Sequence, residues 1–103
     1  MAQIINFEQL GGPVYAGRPK GEKAREQFEL DKEDGAGGVV RVVIPDDAFS
    51  LNSSFFLGLF GPSVRALGGR EGFTKKYAFE APEFIMESVY SGIDRAMQEA
   101  APL

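Results

Sequence analysis

The chain has 103 residues, a formal net charge of −4, 44% hydrophobic residues and neither Cys nor His. This length suits one domain with one core, and the missing residue types exclude disulfides, thiolate nucleophiles, Cys or His zinc sites and a Ser-His-Asp triad. The negative charge argues against general nucleic-acid binding, and no apolar run is long enough to span a bilayer. We therefore expect a single domain over residues 1–103 with its core at 3–100, no cofactor, no metal and, by default, a cytoplasmic location.

The first part of the sequence predicts one strand, an extended segment and one helix. Residues 3–7 are β-prone, whereas the glycines and Pro19 between residues 14 and 21 predict an extended or turning path. Helix formers over 21–30 predict a helix with a narrow apolar stripe. A solvated helix face is expected to carry the basic residues of this region, which are Arg18, Lys20, Lys23 and Arg25.

An acidic, glycine-rich segment at 31–38 is predicted to be a solvated connector. Its carboxylates lack the spacing of an EF-hand, and its glycines precede a strand, whereas phosphate-binding glycine loops follow one. The β-branched run at 39–44 is typical of a central strand buried on both faces. Asp46 and Asp47 follow this strand, at the edge where open α/β sheets place ligand or partner sites. A polar turn is the simpler interpretation, because nothing else in the sequence converges on the pair.

The densest apolar run, residues 50–68, predicts the central helix of the protein. Asn52, Ser53 or Ser54 is suited to cap this helix, because each carries a side-chain oxygen that accepts a hydrogen bond from an exposed N–H of the first turn. An apolar stripe at helical spacing is expected to face the sheet, and it consists of Phe56, Phe60, Val64 and Leu67.

Proline and glycine residues divide the second half of the chain. Pro62 would remove an intrahelical hydrogen bond, so we expect a kink or restart near Gly61, and Gly68-Gly69 as the end of the helix. A glycine-rich turn at 68–72, a short strand at 76–79 and a last helix from Pro82 to about Ala100 are predicted next. Alternating elements of this kind predict an α/β fold with a mixed or mostly parallel sheet of about four strands, packed with about three helices and better covered on one face.

Four short motifs occur in order along the chain: Gly17-Arg18, Gly21-Glu22-Lys23-Ala24-Arg25, Ser53-Ser54-Phe55 and Phe60-Gly61. With the Ser-Ser pair opening the helix after the Val-rich strand, they resemble the STAS-like family of unknown function, which is related to the STAS domains of anti-sigma-factor antagonists. The resemblance covers about residues 4–67 and implies a single small STAS-like domain.

The resemblance also implies a regulatory module without catalysis of its own, whose partner is a protein, such as a kinase-like or anti-sigma-type regulator. In STAS-class antagonists a Ser at the start of this helix is phosphorylated by a partner kinase, and the phosphate blocks binding. Carried onto this sequence, Ser54 would be the phosphoacceptor and Ser53 the fallback. More Phe residues cluster here than the sheet needs, so Phe49 or Phe55 is expected to be partly exposed as an anchor. The expected interaction surface is Asp46, Asp47, Phe49, Asn52 and Phe55.

An alternative hypothesis is an anion- or nucleotide-binding domain, or a minor enzyme. Its anion contacts would be Arg18, Arg25 and the N-terminus of the central helix, where unpaired N–H groups attract negative charge. Neither nucleic acid nor a membrane is expected as a partner, and the sequence leaves homo-oligomerisation open.

Overall fold

A computed structural model describes residues 3–100, and the side chains of residues 3–99. The strands are β1 (Gln3–Asn6), β2 (Val14–Tyr15), β3 (Val40–Val43), β4 (Ser50–Leu51) and β5 (Tyr77–Glu80). The α-helices are α1 (Arg18–Gln27), α2 (Leu30–Asp34), α3 (Ser53–Ala66), α4 (Arg70–Lys76) and α5 (Glu83–Ala100), and a 3₁₀ helix spans Phe7–Leu10.

The strands form two sheets in which every strand pair of the described residues is parallel. The main sheet has the order β1-β3-β5, and β2 pairs with β4 separately. The predicted α/β class is confirmed, but the predicted counts are corrected from about four strands and three helices to five strands and five α-helices over residues 3–100. The additional elements are short: β2 and β4 have two residues each, and α2 has five.

Strand β3 is central, but it is buried on one face only. Val40 and Val42 are fully buried, whereas Arg41 between them is exposed. Ile4 of β1 and Ala78 of β5, which pair with Arg41 in the register, are also exposed. The prediction of a strand buried on both faces was wrong, because the helices cover only the inner face of the sheet. The unequal coverage of the two faces is confirmed.

Helix α3 is the centre of the helical layer, with α1 packed on one side and α5 on the other. Phe60, near its middle, has no exposed surface, and its ring makes edge contacts with the rings of Phe73, Tyr77 and Phe79 at centroid distances of 5.4–5.5 Å. Side chains from every strand and from all five α-helices join a single hydrophobic cluster. The central role predicted for the apolar run at 50–68 is confirmed.

Four predictions about helix boundaries were wrong. Helix α1 begins at Arg18 and includes Pro19 in its first turn, where a missing N–H breaks no intrahelical bond. Helix α3 continues through Pro62 without a restart, since the turns on both sides of it are held by buried residues. The glycine-rich turn at 68–72 contains the start of α4, and the connector at 31–38 contains the end of α2. Pro19 thus occupies a position that favours proline, whereas at Pro62 tertiary packing outweighs a local helix-breaking signal.

The predicted end of α3 and the predicted last helix are confirmed. Gly68 and Gly69 have φ angles of 86° and 110°, a region that favours glycine, and they stop α3 directly after its last residues. Helix α5 runs from Glu83 to Ala100 and buries Ile85, Val89 and Ile93 completely.

Candidate interaction surface at the start of helix α3

The segment that leads from β3 to α3 is fixed to the segment that follows β1. The main-chain N–H of Phe49 donates to the carbonyl of Pro13 at 2.8 Å, and the N–H of Asn52 donates to the carbonyl of Tyr15 at 2.8 Å. These bonds extend the β2–β4 pairing, in which Val14 and Ser50 are partners. Main-chain hydrogen bonds therefore fix the segment that leads into α3.

Asn52 caps α3, and the two serines do not. Asn52 has extended backbone angles, and its Oδ1 accepts from the N–H of Ser54 at 2.9 Å and from the hydroxyl of Ser54 at 2.8 Å. Ser53 and Ser54 are the first two helical residues. Of the three predicted caps only Asn52 has this role, so helix capping does not explain why two serines stand here.

The two serines differ in their surroundings, although both are half-buried. Ser53 lines a groove of about 200 Å³ together with Leu51, Phe84 and Glu87. The hydroxyl of Ser54 is directed to Asn52 instead. A negative group on Ser53 would therefore share a small groove with the Glu87 carboxylate, whereas one on Ser54 would lie at the cap of the helix.

Two aromatic side chains near the start of α3 are exposed, and one predicted to be exposed is buried. Phe49 is 74% exposed and Phe84, in the first turn of α5, is 51% exposed. Phe55 is only 4% exposed and packs its ring against Phe7 and Tyr15. The prediction of Phe55 as a contact residue is corrected, because its side chain belongs to the core. The exposure of Phe84 was not predicted from the sequence. It could have been recognised there, because Phe84 lies outside the apolar stripe of α5.

Acidic residues stand on the side of the α3 start where the 3₁₀ helix lies. Asp46 and Asp47 are both exposed, and Asp47 lines a groove with Glu8 and Tyr15. The pKa of the Tyr15 hydroxyl is raised by burial first and then by the negative charges of Asp47 and Glu8. Within residues 3–99 no group of three or more acidic side chains is close enough to hold a metal ion. This side of the α3 start is therefore acidic. Glu8 contributes to it, although this role was not predicted from the sequence.

We call these residues the α3-start surface; its members are Asp46, Asp47, Phe49, Asn52, Ser53, Ser54 and Phe84. Four of the five residues predicted for an interaction surface and both predicted phosphoacceptors lie within residues 46–54, and Phe84 lines the groove beside Ser53.

The two predicted anion contacts, Arg18 and Arg25, do not reach the start of α3. Both line a groove along the middle of α3, with Pro62 and Arg65. Arg18 is exposed and binds both carboxylate oxygens of Glu99 at 3.0 and 3.4 Å, a hydrogen bond that raises the pKa of Arg18 and lowers that of Glu99. The alternative hypothesis requires one anion site formed by Arg18, Arg25 and the N-terminus of α3. These three parts do not meet at one place in the structure.

Arg25 is buried at the centre of a polar network, so its predicted place on a solvated face was wrong. Its guanidinium donates to the carbonyl of Leu59 at 2.9 Å, to Oγ of Ser63 at 2.7 Å and to Asp34 at 2.7 Å. Asp34 also accepts from the hydroxyls of Ser63 at 2.8 Å and Tyr77 at 2.6 Å. Burial and this hydrogen bond raise the pKa of Tyr77. The network joins α1, α2, α3 and β5, which makes it part of the scaffold.

Comparison with protein-family models, with curated proteins and with solved structures finds no match for this chain. Over residues 3–100 no helix combines the length and the apolar character needed to cross a membrane.

Proposed function

We propose that this protein is a non-catalytic regulatory module that binds a protein partner through the α3-start surface. The observation that carries the proposal is the exposure of Phe49, which at 74% is the most exposed large apolar side chain among residues 3–99. Phe is one of the aromatic residues that are enriched in protein–protein interfaces relative to the rest of the surface. An exposed aromatic residue beside a capped helix start is a suitable anchor for a partner.

The main chain around Phe49 supports this role. Its N–H is bonded to the carbonyl of Pro13, and the next residue, Ser50, pairs with Val14 in the small sheet. Binding to an anchor on a fixed backbone costs less conformational entropy than binding to one on a free loop. Phe84 adds a second exposed aromatic side chain at the same helix start.

The charges of the surface define the kind of partner. Asp46 and Asp47 are exposed next to Phe49, and Glu8 lies beside Asp47 in the same groove. Complementary potentials across an interface increase association rates and exclude wrong partners. We therefore propose a partner that presents an apolar pocket rimmed by basic residues.

Phosphorylation of Ser54 is the proposed switch, with Ser53 as the fallback. A phosphate on Ser54 would add up to about −2 charge and would meet the unpaired N–H groups at the positive end of α3. It would also remove the hydroxyl proton that Asn52 now accepts, so the helix cap would have to rearrange. Ser53 is less suited because its groove contains the carboxylate of Glu87.

The motif resemblance supports the same assignment, since the serine pair stands where STAS-class antagonists carry their regulatory phosphoserine. A kinase-like or anti-sigma-type regulator is the class of partner that this resemblance implies. The proposal combines that class with the exposed anchor and the acidic rim described above.

Affinity capture from the native cell, with mass spectrometry of the retained proteins and of Ser53 and Ser54, tests the proposal. The bait is the full chain, and the test variant is Phe49→Ser. The matched control is Ile4→Ser, which removes a 52% exposed apolar side chain from the outer face of the sheet. We expect a protein retained by the wild type and by Ile4→Ser and lost with Phe49→Ser. Equal retention by both variants would contradict the proposal.

A further inference from the structure

Among residues 3–100, strand β5 has a neighbouring strand on one edge only. It pairs with β3 there, and the N–H of Ile44 donates to the carbonyl of Glu80 at 2.9 Å. The main-chain groups of Ala78 and Glu80 thus point to β3, and strand geometry turns those of Phe79 to the opposite edge. The carbonyl of Tyr77 points the same way, whereas its N–H is used by the carbonyl of Phe73. The open edge therefore offers a short row of hydrogen-bonding groups.

A groove runs beside this edge, between β5 and α5. Its volume is about 200 Å³, and its walls include Thr74, Phe79, Met86, Val89 and Tyr90. Small-molecule pockets usually measure about 300–1,000 Å³, so this groove is matched to a single large side chain. Phe79 and Met86 are half-buried and Tyr90 is 40% exposed, which leaves apolar surface uncovered along the groove.

The groove lies on the face of the sheet to which a residue paired with Phe79 would direct its side chain. Residues directly opposite on neighbouring strands point to the same face of a sheet, and the Phe79 side chain points to the helical layer. A residue of an added strand that lies opposite Phe79 would therefore direct its side chain into the groove. Its main chain would at the same time reach the outward N–H and C=O of Phe79. This combination of edge and pocket is the arrangement used in β-strand addition.

Most charged residues around the groove are paired within the chain. Where β5 begins, Lys75 pairs with Glu71 at 3.2 Å, and the Arg70 guanidinium lies 4.6 Å from the centre of the Tyr90 ring. Where β5 ends, Glu80 pairs with Arg41 on the outer face of the sheet, whereas Glu83, in the first turn of α5, is exposed and has no ion-pair partner among residues 3–99. A bound segment is thus favoured when it places a basic residue at the Glu83 end.

We infer that β5 accepts an extended segment of a partner protein as an additional strand of the main sheet. The segment seats one large apolar side chain in the groove and places a basic residue beside Glu83. This site is separate from the α3-start surface, and neither depends on the other.

The test begins with selection of a phage-displayed random peptide library on the full chain. The enriched peptides are synthesised and titrated against ¹⁵N-labelled protein, and each peptide amide is then N-methylated in turn. Chemical-shift changes are expected at Tyr77–Glu80 and along α5 from Met86 to Tyr90. Methylation at alternate positions should weaken binding at least about tenfold, and methylation at the positions between them should have little effect, because only every second amide faces β5.

Protein variants separate this site from its surroundings. Tyr90→Glu is expected to abolish peptide binding, and Glu83→Lys to weaken binding of peptides with a basic residue, with folding of both checked by thermal unfolding. Phe49→Ser should bind the peptides as the wild type does, which separates this result from the test of the proposed function. The inference is overturned if no peptide is enriched over selection on Tyr90→Glu, if the shifts map elsewhere, or if methylation shows no alternation.

Discussion

Gly21 of α1 and Gly58 of α3 stand against each other's helix backbone. A Cβ atom on Gly21 would lie 2.9 Å from the amide nitrogen of Leu59, and one on Gly58 would lie 2.9 Å from that of Glu22. The reciprocal contact brings α1 close enough for Arg25, one turn beyond Gly21, to reach the Leu59 carbonyl. Two of the residues in the Gly-Glu-x-x-Arg motif thus have a structural reason for being present.

Replacing either glycine by alanine should push the two helices apart. We expect Gly21→Ala and Gly58→Ala each to lower the free energy of unfolding by about 1–3 kcal/mol, the usual cost of overpacking. Urea unfolding measures this change. The control is Gly37→Ala, where an added Cβ meets no atom within 4 Å and φ is not positive, so its effect should stay within about 0.5 kcal/mol. Equal effects at all three positions would contradict the close contact.

The Arg25 network provides a second comparison, between two acidic partners of one guanidinium. Asp34 and Asp31 both accept from Arg25 at 2.7 Å, but their side chains are 10% and 93% exposed. Asp34→Asn should destabilise the protein by about 3–5 kcal/mol, because it removes the only buried carboxylate among residues 3–99 that pairs with the buried Arg25 charge. Asp31→Asn should cost no more than about 1 kcal/mol. Chemical denaturation distinguishes the two results, and similar losses for both would show that Asp34 is not the buried anchor.

The role of Asn52 can be separated from that of the serines by stability measurements. Asn52→Ala should cost about 0.5–2 kcal/mol, since it removes the acceptor of the Ser54 N–H. Ser53→Ala should be close to neutral, because Ser53 is a helical residue and not the cap. Thermal unfolding followed by circular dichroism measures both. A larger loss for Ser53→Ala than for Asn52→Ala would reverse the assignment of the cap.

The buried Tyr77 hydroxyl predicts a loss of stability at alkaline pH. Burial and the hydrogen bond to Asp34 raise its pKa above the usual value of about 10, so the folded state holds the proton more tightly than the unfolded state. The contribution of this tighter proton binding to the free energy of unfolding is complete below about pH 10. It declines above pH 10 by up to about 1.4 kcal/mol per pH unit.

Tyr77→Phe should make the fall in stability above pH 10 less steep, although it removes the hydrogen bond to Asp34. Urea unfolding at a series of pH values from 8 to 11 provides the slopes. Identical slopes for wild type and variant would contradict the raised pKa.

Patterns that depend on local residue type identified most of the elements correctly. The Val-rich strand, the apolar run of α3, the glycines that end it and the stripe of α5 all lie where periodicity placed them. The start of α1 and the continuity of α3 were missed because they depend on the position of a proline within a helix and on packing. One-sided burial of β3 was missed because a β-branched run does not report whether helices cover both faces.

The candidate site was predicted only in part, since exposure is decided by tertiary packing. Phe49 and Phe55 are equivalent in the sequence, yet Phe49 is exposed and Phe55 packs against Phe7. Arg25 resembles its basic neighbours, and only the fold shows that Asp34, in a segment predicted to be solvated, is its buried partner. Phe84 joins the site from a distant part of the chain, and Glu8 comes to lie beside its member Asp47, which no local pattern reveals.

The most direct test of the α3-start surface is a calorimetric titration of the captured, purified partner against four forms of the chain. We expect wild type and Ser54→Ala to bind alike, and Ser54→Asp and Phe49→Ser to bind at least about tenfold more weakly, a loss of about 1.4 kcal/mol, with unchanged melting temperatures. Equal affinity of all four forms would contradict the proposed surface and its switch.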